Sequence, residues 1–402
     1  MSDVRNPLHS HNNGLEPRTQ STNDGALKGR RNFLIAAATV GVGLPLAGLL
    51  QGLPGCSLRP PRLLPNLVKD PRGLCDLPKG FTYTVISKYG ETMSDGHTVP
   101  DFHDGMGCFE SPSGSTILVR NHEISTYFPS DPPSPAPAYA YDPASSGGTT
   151  TIWLNDHLEV ERHYISLTGT IRNCSGGKTP WGTWISCEEA ALEGWFMGKR
   201  HGYNFEVDPR QPLRLAKPLI AMGRFNHEAV AIDAQSGIAY QTEDQSDGCF
   251  YRFVPKVKGR LDRGGTLQAL KFVDPAIRHT TEHPLEPGRP YTCEWATIDE
   301  PNPEEDTVRL QAQAKGAAIF VRGEGMVAHA DGIYFVCSAG GIEGQGQIFR
   351  YQPGADENGG RIELSFTASA GTLLSKPDNL TVAPWGDLVL CEDSRHDENC
   401  LA

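Results

Sequence analysis

The sequence contains no Cys-x-x-Cys pair, and its ten cysteines are spread over 402 residues. A zinc ribbon or thioredoxin-type site is thereby excluded, and the cysteines are too sparse for a disulfide scaffold. Positive charge is also lacking: 36 Lys and Arg stand against 48 Asp and Glu, a net charge of −12. Nucleic acid and anionic membranes are poor electrostatic partners for such a chain. A phosphate-bearing substrate remains open to it, because bound cations invert the local field. Strong helical periodicity is missing as well. What is abundant is turn chemistry, with 44 Gly and 31 Pro, which favours many short strands over a helical bundle. The apolar content, 38 %, suffices for one large domain or two ordinary ones.

Residues 1–56 read as a targeting segment. A polar stretch rich in Asn, Ser and Arg precedes "GRRNFLIAAATVGVGLPLAGLL". Arg30 and Arg31 directly before Phe33-Leu34 and a mildly apolar run form a twin-arginine export signal. The run is nearly long enough for a membrane anchor, but its Gly and Ala make it weakly hydrophobic. "LPGC" ending at Cys56 resembles a lipobox with an atypical proline. The expected working chain, 57–402, is thus a monomeric domain outside the cytoplasm, periplasmic or attached to the cell envelope, with the twin-arginine machinery as its export partner.

The stretch "TPWGTWISCEEA" at Thr179 has a near copy, "APWGDLVLCEDS", at Ala383. Each is a Pro-Trp-Gly turn, a short strand, then Cys-Glu and a second acid. Looser versions end at Glu123, Gln245 and Gly340. "FHDGMGCFESP", "RFNHEAVAIDA", "RGEGMVAHADG" and "KPDNLTVAPWG" each put an acid or Asn ahead of a short strand. A unit of polar turn, strand, tight turn and strand that recurs along a chain predicts an all-β propeller rather than a sandwich of hairpins. Inner strand ends of a propeller converge on one channel mouth, which would gather Glu123, Cys187, Glu189, Glu228, Glu243, Glu324, Asp378 and Asp393. So many carboxylates share a mouth only when cations neutralise them. Oxygen ligands in such number suit Ca2+, and a thiolate among them suits a transition metal such as iron. Alternation along Trp184–Glu189 predicts that Cys187 and Glu189 share the cluster-facing side, with Glu188 on the other.

Together the export signal, "TPWGTWISCEE", "GRFNHEAVAID", "RGEGM" and "KPDNLTVAPWGDLVLCED" resemble the bacterial PhoX-type alkaline phosphatases from about Pro100 to Asp393. The resemblance implies a six-bladed β-propeller with iron (Fe3+) and Ca2+ at the channel mouth, hydrolysing phosphomonoesters outside the cytoplasm to scavenge phosphate. Carried over by motif, Cys187 is implied as the thiolate bridging the iron pair. Glu228 and Glu324 are implied as carboxylates bridging iron and calcium, Asp378 as an iron ligand, and Arg322 as the cation against substrate phosphate. Glu189, Glu123, Glu243 and Asp393 follow as calcium ligands or groups behind them. Asn379 is left between ligation through its carbonyl, contact with substrate and orienting its turn. His227 and His122 are read as packing or supporting groups. No Ser-His-Asp arrangement is evident, and Cys187 lacks the partner His of a cysteine nucleophile.

Two departures from the family accompany this resemblance. The chain is short for the group, and it ends soon after Asp393, which predicts a last blade left incomplete. Two other functions fit the composition: a calcium-dependent propeller hydrolase of lactones or esters, and a non-catalytic, calcium-stabilised propeller that binds a partner at the envelope. The first would not need a thiolate ligand, so Cys187 argues against it; in the second the acids bind calcium for stability and Arg322 is only a surface charge.

Overall fold

The computed structural model describes residues 31–34, 67–125, 134–191, 199–355, 358–369, 374–393 and 399–401. Of the expected export segment, Arg31–Leu34 is included as strand β1. Arg30, the apolar run and Cys56 lie outside the described residues.

The chain is almost entirely β. After the short β2 (Leu67–Val68) and β3 (Cys75–Pro78) come four antiparallel strands in sequence order. These are β4 (His103–Glu110), β5 (Thr116–His122), β6 (Gly147–Leu154) and β7 (Val160–Thr170). A three-stranded sheet follows, with β9 (Trp184–Glu188) between β8 (Asn173–Lys178) and β10 (Asn204–Val207).

Next are β11 (His227–Ile232), β12 (Ala239–Glu243), β13 (Phe250–Pro255), β14 (Gly265–Phe272) and β15 (Pro290–Thr297). Helix α1 (Val308–Ala314) leads to β16 (Gly323–His329), β17 (Gly332–Cys337), β18 (Gln347–Pro353) and β19 (Gly359–Thr367). Because β15 pairs with β19, these nine strands make one continuous sheet. The last group is β20 (Pro377–Val382), β21 (Leu388–Glu392) and β22 (Asn399–Leu401), extended by β1, β3 and β2.

Each group starts with a strand that lies against the starting strand of the next. Strands β4, β8, β11, β16 and β20 form an arc around a common channel. This is the all-β, propeller-like architecture predicted from the repeats, with five inner strands among the described residues. The extended packing of successive inner strands is not repeated between β20 and β4 there.

The repeated turn explains why the sequence motif recurs. In "TPWGT" the Gly182 N–H donates to Thr179 O, and in "APWGD" the Gly386 N–H donates to Ala383 O. Gly182 and Gly386 have φ of 85° and 98°, a left-handed conformation that glycine adopts without a Cβ clash. The Gly176-Gly177 pair serves packing instead. A Cβ on Gly177 would stand 1.6 Å from Val230 O, so β8 and β11 touch backbone to backbone.

Apolar layers fill the space between blades. Phe109, Ile117 and Val119 pack on Trp184 and Phe205 between the first and second blades. Ile185, Val230, Ile232, Phe253 and Met222 pack between the second and third. The largest layer lies inside the curled nine-stranded sheet, whose two end strands β11 and β16 meet. There Phe250 stacks on Phe335 at 4.3 Å between ring centroids, with Phe320, Phe349, Tyr240 and Tyr351 around them. Full burial of each such ring contributes about 1.5–3 kcal/mol.

Candidate metal centre

All five inner strands begin with the same irregularity. The pairs His103↔His122, Asn173↔Glu188, His227↔Glu243, Gly323↔Cys337 and Pro377↔Glu392 are each followed by a shift of register. The second residue of each inner strand therefore sits in a β-bulge, which bends the strand and re-aims the side chain. Those residues are Asp104, Cys174, Glu228, Glu324 and Asp378.

A second fivefold pattern delivers a second set. The carbonyls of Phe102, Arg172, Asn226, Arg322 and Lys376, one residue ahead of each inner strand, accept N–H groups from beyond the second strand. The donors are Glu123 (2.9 Å), Glu189 (3.0 Å), Asp244 (3.2 Å), Ser338 (3.0 Å) and Asp393 (3.1 Å). This bond turns the chain out of the ladder just where those side chains leave it.

All of these ten except Glu228 and Ser338 line a cavity of about 880 Å³ that runs along the inner strands. Single ligand atoms of Asp104, Glu123 and Cys174 lie within 4.8 Å of one another, and so do those of Cys174, Glu189 and Glu228. Cys174 is common to both groups.

The electrostatics of this mouth call for cations. Burial, then Asp378 and Glu123, pushes Asp104 up to about 7. Burial and Asp244 push Glu189 up to about 8, and burial and Asp393 push Asp378 up to about 6. Glu228 and Glu324 are raised well above the carboxylate range, first by burial and then by neighbouring acids. The Cys174 thiol is raised by burial and by Glu228. Glu228 Oε2 is buried with no hydrogen-bond partner. A donor set of hard oxygens, one thiol and an orphaned carboxylate oxygen fits bound cations.

Two arginines balance part of this charge. Arg172 Nη2 lies 2.7 Å from Glu189 Oε2 and 3.1 Å from Glu123 Oε1. Arg322 donates twice to Asp244, Nε to Oδ1 at 2.7 Å and Nη2 to Oδ2 at 2.6 Å. Its Nη2 is also 3.1 Å from Glu324 Oε1, which accepts from Ser338 Oγ at 2.6 Å.

Of the residues singled out in the sequence, Glu123, Glu189, Glu324, Asp378, Asp393 and Arg322 line the cavity, and Glu228 joins a ligand group. Asn379 also lines it, with both ends of its amide engaged. Its Nδ2 donates to Ser175 Oγ at 2.9 Å, and its Oδ1 accepts the Leu380 N–H at 2.8 Å. It therefore braces β20 against β8.

Cys187 is a correction. Strand β9 stays regular through it, with Cys187 opposite Asn204. The pleat turns its side chain into the apolar layer with Ile185, Val230 and Met222. The thiol at the centre is Cys174, from the bulge of the preceding strand. Glu243 is a second correction. As the last residue of β12 it points away, Oε2 accepting from Tyr251 Oη at 2.6 Å, and the next residue, Asp244, enters the cavity.

Glu188 faces the neighbouring strand and accepts N–H groups of Ile171, Gly202 and Tyr203. His227 packs on Phe225 with ring centroids 3.6 Å apart, and His122 bonds Asp101 O and Thr150 Oγ1. Asp104, Cys174, Asp244 and Arg172 escaped the sequence reading. The signal for Asp104 and Cys174 is present once "FHDGM", "RNCSG", "NHEAV", "RGEGM" and "KPDNL" are aligned, with the donor always third.

Fold and site define a class: a β-propeller with a thiol- and carboxylate-lined mouth suited to cations, beside an arginine paired with Asp244 and Glu324. The family model for alkaline phosphatase PhoX matches residues 63–162 and 155–401. The chain belongs to that family and is a phosphatase.

By fold it is similar to Pseudomonas fluorescens PhoX in complex with vanadate, a transition state analogue, with a TM-score of 0.61. Identity is 18 % over 79 % of this chain and 81 % of that one. A Pseudomonas aeruginosa periplasmic gluconolactonase has a TM-score of 0.38 and 9 % identity, covering 76 % of this chain and 72 % of its own. A calcium structure of a Trichoderma reesei carbohydrate-active enzyme of family AA12 has a TM-score of 0.39 and 10 % identity, covering 80 % and 95 %. No curated protein matches the chain.

Proposed function

We propose that this phosphatase is an exported, metal-dependent phosphomonoesterase. Its cations would be held by Asp104, Cys174, Glu228, Glu324 and Asp378 from the bulges, with Glu123, Glu189, Asp244 and Asp393 from the second set. Fe3+ suits the positions around the Cys174 thiolate, and Ca2+ suits those lined by carboxylates alone. The observation that carries this reading is the fivefold bulge, which brings one donor from every described blade to a mouth already furnished with Arg322.

Bound there, such cations would supply Lewis acidity and a hydroxide equivalent near neutral pH. The chain's own residues do the remaining work. Asp244 fixes the Arg322 guanidinium in one plane, so that its outward N–H groups meet phosphoryl oxygens without reorganising. Arg172 holds Glu123 and Glu189 in register. Burial of Glu228 and Glu324 keeps water away from them and strengthens their interactions in the mouth.

The direct test is iron and calcium per chain in the purified protein, together with turnover of a chromogenic phosphomonoester. Calcium without iron, and no turnover, would remove the support for this reading. Arg322→Ala is expected to lower kcat/KM by about 10²-fold, as loss of one charge-assisted phosphoryl contact does. Arg322→Lys should recover little of it, because an ammonium cannot pair with both Asp244 oxygens in one plane.

Cation binding must displace protons from groups such as Glu189 (about 8) and Asp104 (about 7). Metal affinity is therefore expected to rise between pH 6 and 8, with protons released on loading. Calorimetric titration of the stripped protein in two buffers of different ionisation enthalpy reads this; identical heats in both would contradict it.

Export rests on Arg30 and Arg31 before Phe33-Leu34. Cell fractionation of an Arg30→Lys, Arg31→Lys double variant tests it, and unchanged release from the cytoplasm would refute it.

A further inference from the structure

Glu243 misses the cavity but braces the loop that serves it. It ends β12, and residues 244–249 connect that strand to β13. Its buried carboxylate fills this loop from inside, where Oε2 accepts the Cys249 N–H at 3.2 Å and the Tyr251 hydroxyl at 2.6 Å. The Gly248 N–H donates to Gln245 O at 3.1 Å and closes the turn.

The loop is the seat of Arg322. Asp244 accepts from the guanidinium through both of its oxygens, and the backbone is held as well. Gln245 O accepts the Arg322 N–H at 2.8 Å, and Gly248 O accepts the Phe320 N–H at 2.9 Å. The stretch leading into β16 thus runs along the loop, and where the loop stands decides where the guanidinium stands.

Helix α1 holds the loop from outside the cavity. Val308 and Ala312 share one buried apolar layer with Cys249 and Tyr251. Arg309 and Gln313, four residues apart and so on one face of the helix, both reach Asp247 in the loop. Arg309 Nε donates to Asp247 Oδ1 and Gln313 Nε2 donates to Asp247 O, each at 2.7 Å. Arg309 is itself fixed, with Nη1 2.5 Å from Asp306 Oδ2 and 3.7 Å from Glu243 Oε1. Asp247, Arg309 and Gln313 do not line the cavity.

We propose that Asp247, Arg309 and Gln313 are positioning residues for the phosphatase reaction, pinning the 244–249 loop to α1 and so holding Arg322 where it meets phosphoryl oxygens. The inference rests on the role given to Arg322 above. Hydrogen bonds weaken steeply as distance and angle depart from their optimum, so a donor left loose loses much of its hold on a phosphoryl group.

The test is a double-mutant cycle on kcat/KM for a chromogenic phosphomonoester in the metal-loaded protein. Asp247→Ala combined with Gln313→Ala removes both ties, while Arg309 keeps Asp306 and Glu243, so no buried carboxylate loses its cation. The pair is expected to lower kcat/KM about tenfold when Arg322 is present, and less than about twofold in the Arg322→Ala background. Asp247→Asn, which still offers Arg309 an acceptor, should stay close to the parent. An equal drop in both backgrounds, as a generally loosened fold would give, overturns the positioning role and leaves the phosphatase reading standing; so does no drop at all. Loss of iron or calcium from the paired variant would place its effect at the cations and would also overturn it. An Arg322→Ala variant as active as the parent removes the role of Arg322 itself, and this inference with it.

Discussion

Cys174→Ala is expected to empty the centre of iron and to lower kcat/KM by about 10³-fold, since it removes the donor shared by both ligand groups. Any thiolate-to-iron colour should vanish with it. Cys187→Ala is the matched control, because Cys187 belongs to the apolar layer with Ile185, Val230 and Met222. That substitution removes a small buried side chain and should cost about 1–2 kcal/mol of stability, leaving colour and metal content in place. Metal analysis, visible absorbance and thermal unfolding of the two variants side by side decide the matter. The reverse pattern, with iron lost from Cys187→Ala and kept in Cys174→Ala, would overturn the assignment of the thiol.

The second large effect is expected away from the cavity. His201 is fully buried, with Nδ1 2.7 Å from Glu188 Oε1 and Nε2 3.6 Å from Asp142 Oδ2. Burial opposes a charge on this ring, but Glu188 and Asp142 outweigh it and hold the imidazole at about 9. The triad clamps the segment ahead of β6 to the end of β9, one residue before Glu189. His201→Ala leaves two buried carboxylates without their cation and should destabilise the fold by about 3–5 kcal/mol. A histidine whose pKa rises on folding contributes stability that is whole below about 6.5 and is lost as pH rises through about 9. Thermal unfolding of the parent from pH 6 to 10 should show that decline, and the variant should lack it. Parallel pH profiles for the two proteins would show that the clamp carries no charge.

How far the sequence disclosed this arrangement is clear from particular residues. The Pro-Trp-Gly turns at Gly182 and Gly386 announced the blades, because a left-handed glycine and a fixed strand length are local properties. Glu228, Glu324 and Asp378 were legible because each stands in a short motif before an obvious strand. The thiol was not. Simple alternation makes Cys187 the partner of Glu189, but β9 ends at Glu188, and Glu189 leaves the ladder to bond Arg172 O. Glu243 was displaced by one residue from Asp244 for the same reason. Bulges and strand exits break the period of two, and pairing between strands, which no single segment records, decides where they fall.

The five bulges also separate two kinds of information. Backbone geometry decides where a donor stands, and one side chain per blade decides which donor it is: Asp, Cys, Glu, Glu, Asp in chain order. Hardness at each position is thus set by a single codon, independently of the scaffold. On the proposed metal reading, a propeller built this way is a rack of interchangeable sockets, in which the preference for one cation over another would be rewritten blade by blade while the strands that carry it stay as they are.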